Sequence, residues 1–431
     1  MKRLLFLSAF LSLLVVGEAF AGGQKTASVA VEKPSGWPQW RGPRGDGVSL
    51  ETGWNAKALE GGARILWTTM IGMGYSNIAI AEGRLYAMGS RERQLVFTCL
   101  DAGSGSVIWQ KVFEELVGTP QSTPAVDGDR VYALTYLGYL VCLNTADGAV
   151  VWQKKLPPIP NFCQWATSPI VDGNLVLINA HYAGMALDKT TGNVVWDSGW
   201  DSKTSPVAGA ADDPGTDHSY SSPVVTDLQG KRTALFMGPT ALSAVETSTG
   251  KLLWSKRSRS NEETTDPIVS GNLVFMPEHF PTLFEVGKSD TRIIWKTSGF
   301  MCNVSTPVLV NGYLYVLWWD TSIPGNSTWV PVKARQWPFL CVELRPGKVM
   351  WTEPGPFLQF TASDGKLITL DPNGTLSVVE ASPEGFHPIS SADVLAGANR
   401  SRLFVTPPVL YEGRVYCRNF EGDLVCIDMR K

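Results

Sequence analysis

Short apolar runs broken by turn residues recur along the chain, and each unit opens in the same way. A Ser/Thr-Pro pair or a close variant leads into a short apolar strand at Thr123-Pro124-Ala125-Val126, Ser168-Pro169-Ile170-Val171, Ser222-Pro223-Val224-Val225, Asp266-Pro267-Ile268-Val269, Thr306-Pro307-Val308-Leu309 and Pro407-Pro408-Val409-Leu410. Turns such as Asp127-Gly128-Asp129, Asp172-Gly173-Asn174 and Asn311-Gly312 follow, which is hairpin chemistry between alternating runs. The second half of the unit closes on tryptophan. An acidic or amide residue stands eight positions before the indole in Asp101 to Trp109, Asn144 to Trp152, Asp188 to Trp196, Glu246 to Trp254 and Glu343 to Trp351, and Glu285 to Trp295 carries two extra residues. The first residue can accept bonds from the turn backbone while the indole covers the neighbouring unit, so Trp67, Trp109, Trp152, Trp196, Trp254, Trp295 and Trp351 are expected to be structural.

A period of roughly 45 residues is the length of one propeller blade. Strand openings near 76, 122, 167, 221, 265, 305, 360 and 406 make eight units. The last has three strands, Pro408 to Tyr411, Arg414 to Arg418 and Leu424 to Asp428, while Arg64 to Met70 carries a tryptophan with no strands of its own before it. The pattern therefore predicts an all-β, eight-bladed β-propeller of four-stranded antiparallel blades, closed by an N-terminal strand completing the last blade. The predicted division is a signal peptide over 1–21, an N-terminal extension over 22–63 and the propeller over 64–431. Unit seven, Phe360 to Leu395, has no tryptophan, and its boundaries are the least defined.

These units resemble the tryptophan-docked repeats of the pyrroloquinoline-quinone (PQQ) dehydrogenase superfamily, with Leu187 to Trp196 and Val245 to Trp254 the nearest matches to its consensus. Trp37-Pro38-Gln39-Trp40-Arg41-Gly42-Pro43 is similar to the mature N-terminus of exported bacterial PQQ-like repeat proteins. The resemblance covers about residues 37 to 431 and is specific for fold, not function. It implies either a quinone-dependent dehydrogenase or a cofactor-free scaffold such as an outer-membrane assembly lipoprotein. The dehydrogenases carry a disulfide between adjacent cysteines, a calcium or lanthanide site and long insertions. No two cysteines are adjacent here, and the lipidated cysteine of the assembly protein is missing as well.

Lys2 and Arg3, the apolar run Leu4 to Val16 and Ala19-Phe20-Ala21 form a secretory signal cleaved near Ala21. The run is too short to span a bilayer, so a soluble periplasmic or secreted protein without a membrane anchor is expected. With 37 Lys+Arg against 40 Asp+Glu the formal charge is −3, which argues against nucleic acid as a partner. Cys99, Cys142, Cys341 and Cys426 share one repeat position and read as buried small hydrophobes. Cys417 and Cys426 would face each other if Glu421-Gly422 is the hairpin turn, as a disulfide or as two packed thiols.

No G-x-S-x-G, H-E-x-x-H or C-x-x-C motif occurs, which leaves serine hydrolase, zincin and thioredoxin-like chemistry unsupported. The loops before each first strand and between the second and third vary where the scaffold repeats, as a ligand or partner funnel requires. They supply Gln121, Trp165, His181, Tyr182, His218, Tyr220, Glu263, Glu278, His279, Asn303, Trp318, Trp319, Asp320, Gln359, Arg402 and Arg418 as ligand-binding candidates. Each also has a structural reading as channel lining or packing. His181, His218 and His279 with Glu278 come from three units without metal-ligand spacing, so no metal site is predicted. Trp165, Trp318 and Trp319 can stack on a quinone or sugar, or fill the channel. The insertions Asp197 to Ser219 and Thr321 to Gln336 are candidate lids or docking elements.

The resulting expectation is a monomeric binding or scaffold module for a protein, small molecule or glycan, with no redox cofactor and no assigned catalytic residue. The alternatives are a dehydrogenase-like oxidoreductase using PQQ with calcium, and a carbohydrate-binding or carbohydrate-active protein.

Overall fold

The computed structural model describes residues 36–113, 118–157, 165–180, 182–199, 205–207, 220–238, 240–258, 265–288, 290–302, 305–318, 337–356, 358–395 and 406–430. The signal segment 1–21 lies outside them. So do His181, His218, Glu263, Asn303, Trp319, Asp320 and Arg402 among the site candidates, and most of both insertions.

Eight antiparallel four-stranded blades form a β-propeller. Within a blade the strands A to D run in sequence order from the channel outward. Blade 1 is Ala79–Ala81, Arg84–Arg91, Gln94–Asp101 and Val107–Phe113. Blade 8 is Val409–Tyr411, Arg414–Arg418 and Asp423–Asp428, completed by the outer strand Ile65–Met70 from the other end of the chain. Trp67 lies opposite Cys426, and Asp428 N donates to Arg64 O at 2.9 Å, so both ends of the chain are fixed in one sheet. Blade 7 runs from Gln359–Ser363 to Pro388–Asp393, as its Gly365 and Gly374 turns predict.

The Ser/Thr-Pro openings link the blades head to tail. Asn77 N donates to Thr123 Oγ1, Thr123 N to Ser168 Oγ, and Ser168 N to Ser222 Oγ, at 2.9–3.0 Å. The series goes on from Ser222 N to Asp266 Oδ1 at 2.7 Å and from Asp266 N to Thr306 Oγ1 at 3.2 Å. The following proline has no N–H to leave unpaired, and the hydroxyl satisfies a buried donor of the previous blade.

The tryptophans seal the outer rim. Each C–D ladder that carries a tryptophan shifts register by one residue beside the indole, as between Cys99–Trp109 and Leu100–Val107, and this bulge turns the ring toward the next blade. Trp67, Trp109, Trp152, Trp196 and Trp295 donate Nε1 to Ala102, Thr145, Lys189, Thr247 and Leu344 carbonyls at 2.7–3.1 Å. Each of these rings lies on a turn glycine with positive φ, where a Cβ would come within 2.5–2.7 Å of the indole. Trp351 reaches Ser382 O at 2.9 Å and packs on Phe386. Trp254 departs from the expectation: it meets Phe284 edge-on, but among the described residues its Nε1 docks on no carbonyl of the next blade.

Cys99, Cys142, Cys341 and Cys426 lie opposite tryptophans in their ladders, buried and free. Burial pushes their thiols up to about 12, 11, 11 and 12. Cys417 and Cys426 are not cross-strand neighbours, because the turn spans Asn419 to Asp423 and holds one residue more than a Glu421-Gly422 turn allows. Cys417 faces Val425 and Tyr416 faces Cys426, so the thiols point to opposite sides of the sheet, toward blades 7 and 1.

Candidate functional site

Residues 36–63 are built into the ring. Gly36–Trp37 pairs antiparallel with the inner edge of blade 1, and Val48–Ser49 pairs parallel with the inner edge of blade 7. Between these strands the chain enters the channel from the face of the A–B turns, turns at Trp40 and Arg41, and returns. Two glycines permit the close approach: a Cβ on Gly42 would lie 2.9 Å from the Trp37 ring, and one on Gly47 would lie 3.0 Å from Arg41 Nη2. After leaving the channel, Trp54 is buried against blades 7 and 8 with Nε1 3.1 Å from Ser363 Oγ. The Glu51 carboxylate accepts the N–H groups of Glu412 and Gly413.

The tip of this insertion is held by charge. Arg41 and Asp266 form a buried ion pair at 3.8 Å, with side chains 4% and 2% exposed. Arg41 also donates to Asp46 and Pro307 carbonyls at 2.8 Å and to Thr306 and Gly45 carbonyls at 3.3 Å. Asp266 accepts Trp40 Nε1 at 2.7 Å besides Ser222 N. Burial raises the Asp266 carboxyl above the ordinary aspartate range, with Arg41 and the two hydrogen bonds opposing it.

Beside the insertion a cavity of about 410 Å³ faces the inner strands of blades 3, 4 and 5. Ile170, Val224 and Ile268 form its apolar wall. At its mouth Arg44 pairs with Asp46 at 2.8 Å, and Arg232 bridges Asp172 and Asp227 at 2.7 and 3.0 Å. A cavity that sets this apolar wall beside Gln39, Thr226 and the charged groups suits the binding of a chain segment or small molecule, and its lining holds no nucleophile paired with a base.

The funnel candidates are spread over separate seams. Trp165 is buried in the core between blades 2 and 3, its backbone N–H donating to Tyr136 O at 3.3 Å. Tyr182 is buried between blades 3 and 4 with Phe236. Glu278 is fully buried, accepting from Ser258 Oγ at 3.1 Å and Thr282 Oγ1 at 3.3 Å with Lys296 at 3.7 Å, while neighbouring His279 is half-buried with Nδ1 unpartnered. Trp318 is half-buried against the core of blades 5 and 6. Gln359 opens the inner strand of blade 7 and accepts from Ser305 Oγ at 3.4 Å; Gln121 and Tyr220 are half-buried just ahead of blades 2 and 4. Arg418 is buried at the junction of blades 8 and 1, donating to Gly72 O at 3.1 Å and to Ser76 O, and burial without a carboxylate partner pushes it down to about 9. Sequence reading passed over Asp266 and Arg41, although an acid standing where sister blades carry Ser or Thr was a visible signal.

The described residues around the channel do not fit PQQ with calcium. The buried carboxylate there is taken up by Ser222, Trp40 and Arg41, and among the described residues no three of His, Cys, Asp and Glu stand close enough to hold a metal.

Blade count, docked rims and terminal closure define an eight-bladed propeller of the PQQ-like repeat class. The chain belongs to the family described as outer membrane protein assembly factor BamB, matched over residues 25–297 and 240–431. A search of curated proteins finds no match. Among solved structures, BamB from Moraxella catarrhalis superposes with a TM-score of 0.58 at 16% identity, covering 85% of this chain and 97% of that one. Quinohemoprotein alcohol dehydrogenase from Comamonas testosteroni gives 0.66 at 14% identity, covering 93% and 81%. A computationally designed protein, Ika8, gives 0.57 at 11% identity over 87% and 100%. At these identities the likeness is one of fold.

Proposed function

We propose that the protein is an exported binding and scaffold module of the cell envelope, working in outer-membrane protein assembly by holding a protein partner, with no redox cofactor. The observation that carries this reading is the insertion of residues 36–49, which lays the chain's own backbone along the inner strands of blades 1 and 7 and takes up Asp266. Family membership supports the assembly role, and the signal sequence supports the envelope location.

The test has two parts. The mature protein is titrated with PQQ in calcium, followed by heat and tryptophan fluorescence; no saturable binding up to about 100 µM is expected, a limit near 5–6 kcal/mol of affinity. Photo-crosslinkers are then placed singly on the two faces in the native envelope. Adducts with outer-membrane assembly proteins from one face, absent from the other, are the expected result. Saturable calcium-dependent quinone binding, or no protein adduct from either face, overturns the proposal.

A further inference from the structure

The seam between blades 4 and 5 is built differently from the other tryptophan seams. Val286 is the counterpart of Ala102, Thr145, Lys189, Thr247 and Leu344, since it follows the acidic residue and its N–H bonds the A–B turn, at Asn272 O. Its carbonyl accepts Gln229 Nε2 at 2.8 Å, so the place taken elsewhere by an indole N–H is filled. Two lengthened hairpins cause this. The A–B hairpin of blade 4, Val224–Leu228 with Lys231–Met237, carries Gln229 across the seam. The C–D ladder of blade 5 runs on through Glu285–Arg292 and Val286–Thr291 before Gly287 N closes on Asp290 O at 2.8 Å.

The turn that would cap Trp254 is thereby moved off its ring. A Cβ on Gly287 would meet only Asp290 among its nearest atoms, whereas at five other seams the glycine lies on the indole. A cavity of about 530 Å³ opens over Trp254 and Leu253, with Lys231, Lys288 and Asp290 at its rim. Among the described residues these three charges form no ion pair and Trp254 Nε1 meets no acceptor.

We propose that this cavity binds a saccharide unit carrying a carboxylate. A pyranose presents a face of C–H groups suited to the negative face of an indole, and a surrounding set of hydroxyls that needs both donors and acceptors. Asp290 accepts, while the lysines and the indole N–H donate. Two ammonium groups against one carboxylate leave an excess positive charge that an acidic sugar neutralises. The volume lies within the range of about 300–1,000 Å³ usual for small-ligand sites.

The mature protein is titrated with digalacturonate and, as the neutral comparison, lactose, by heat and tryptophan fluorescence. Saturable digalacturonate binding is expected, weakened about tenfold or more by Trp254→Ala and separately by Lys231→Gln with Lys288→Gln. The lysine pair is on the surface, so that variant keeps the parent melting temperature and reads the site without the fold. No saturable binding up to about 10 mM, equal affinity for lactose, or binding unaffected by either variant overturns the proposal. Because the site is remote from the crosslinking and quinone assays, its failure leaves the scaffold reading where those assays put it.

Discussion

Replacing Asp266 by Thr restores at blade 5 the residue type that opens its neighbours, and it removes the carboxylate beside Arg41. At 3.8 Å, with an effective dielectric constant of about 20, the attraction is worth about 4 kcal/mol before desolvation is counted. Breaking a buried pair from one side costs about 3–5 kcal/mol, because a guanidinium stays in the interior without its counter-charge. Four backbone carbonyls still accept from Arg41, and Thr can still take the Ser222 N–H, so the lower end, about 3 kcal/mol, is expected. Adding Arg41→Met removes the stranded charge and is expected to bring stability back to within about 1 kcal/mol of the parent. Urea unfolding followed by tryptophan emission gives these differences. Trypsin reads the segment directly, since the buried Arg41-Gly42 bond should resist cleavage in the parent and open in Asp266→Thr. If that variant loses less than about 0.5 kcal/mol and stays resistant, the carboxylate does not hold the insertion in the channel and the reasoning fails.

Two further outcomes follow from the rim and the closure. Trp152→Phe removes the bond to Lys189 O and part of the packed ring, and should cost about 1–2 kcal/mol in urea unfolding, while Trp254→Phe, with no such bond, should cost under about 1 kcal/mol. Equal losses would show that the indole bond contributes nothing to the seams. Asp428 is held down to about 2 by hydrogen bonds and charge from Arg430, with Arg64 adding to it from the closing strand. Its folded value lies below its unfolded one, so the stability it contributes is full above about pH 4 and is lost as pH falls toward 2. Melting temperatures between pH 5 and 2.5 should fall less steeply in Asp428→Asn than in the parent, and parallel slopes would refute this.

The frame was legible because its parts are local and reused. A Ser/Thr-Pro opening, with six copies counting its variants, and a tryptophan eight residues after an acid or amide, with five, each do one job between adjacent blades, and the repetition makes the job visible. Long-range, single-copy contacts left no such trace: Trp40 and Asp266 are 226 positions apart, and nothing in the sequence repeats their pairing. One extra residue in the turn at Asn419 to Asp423 was equally invisible, yet it set Cys417 and Cys426 on opposite sides of the sheet. Variable loops are the weakest guide to a site, since exposed loops vary for many reasons, and the described candidates on them are spread over separate seams. The informative variation lay inside the repeated frame. Each blade serves as a control for the others, so a departure at a position whose role is known identifies what has been lost and what has replaced it. The acid at 266 trades a hydroxyl for a hold on Arg41, and the two residues added before Trp295 trade an indole dock for a cavity. Both departures could be counted in the sequence, and both cavities border them.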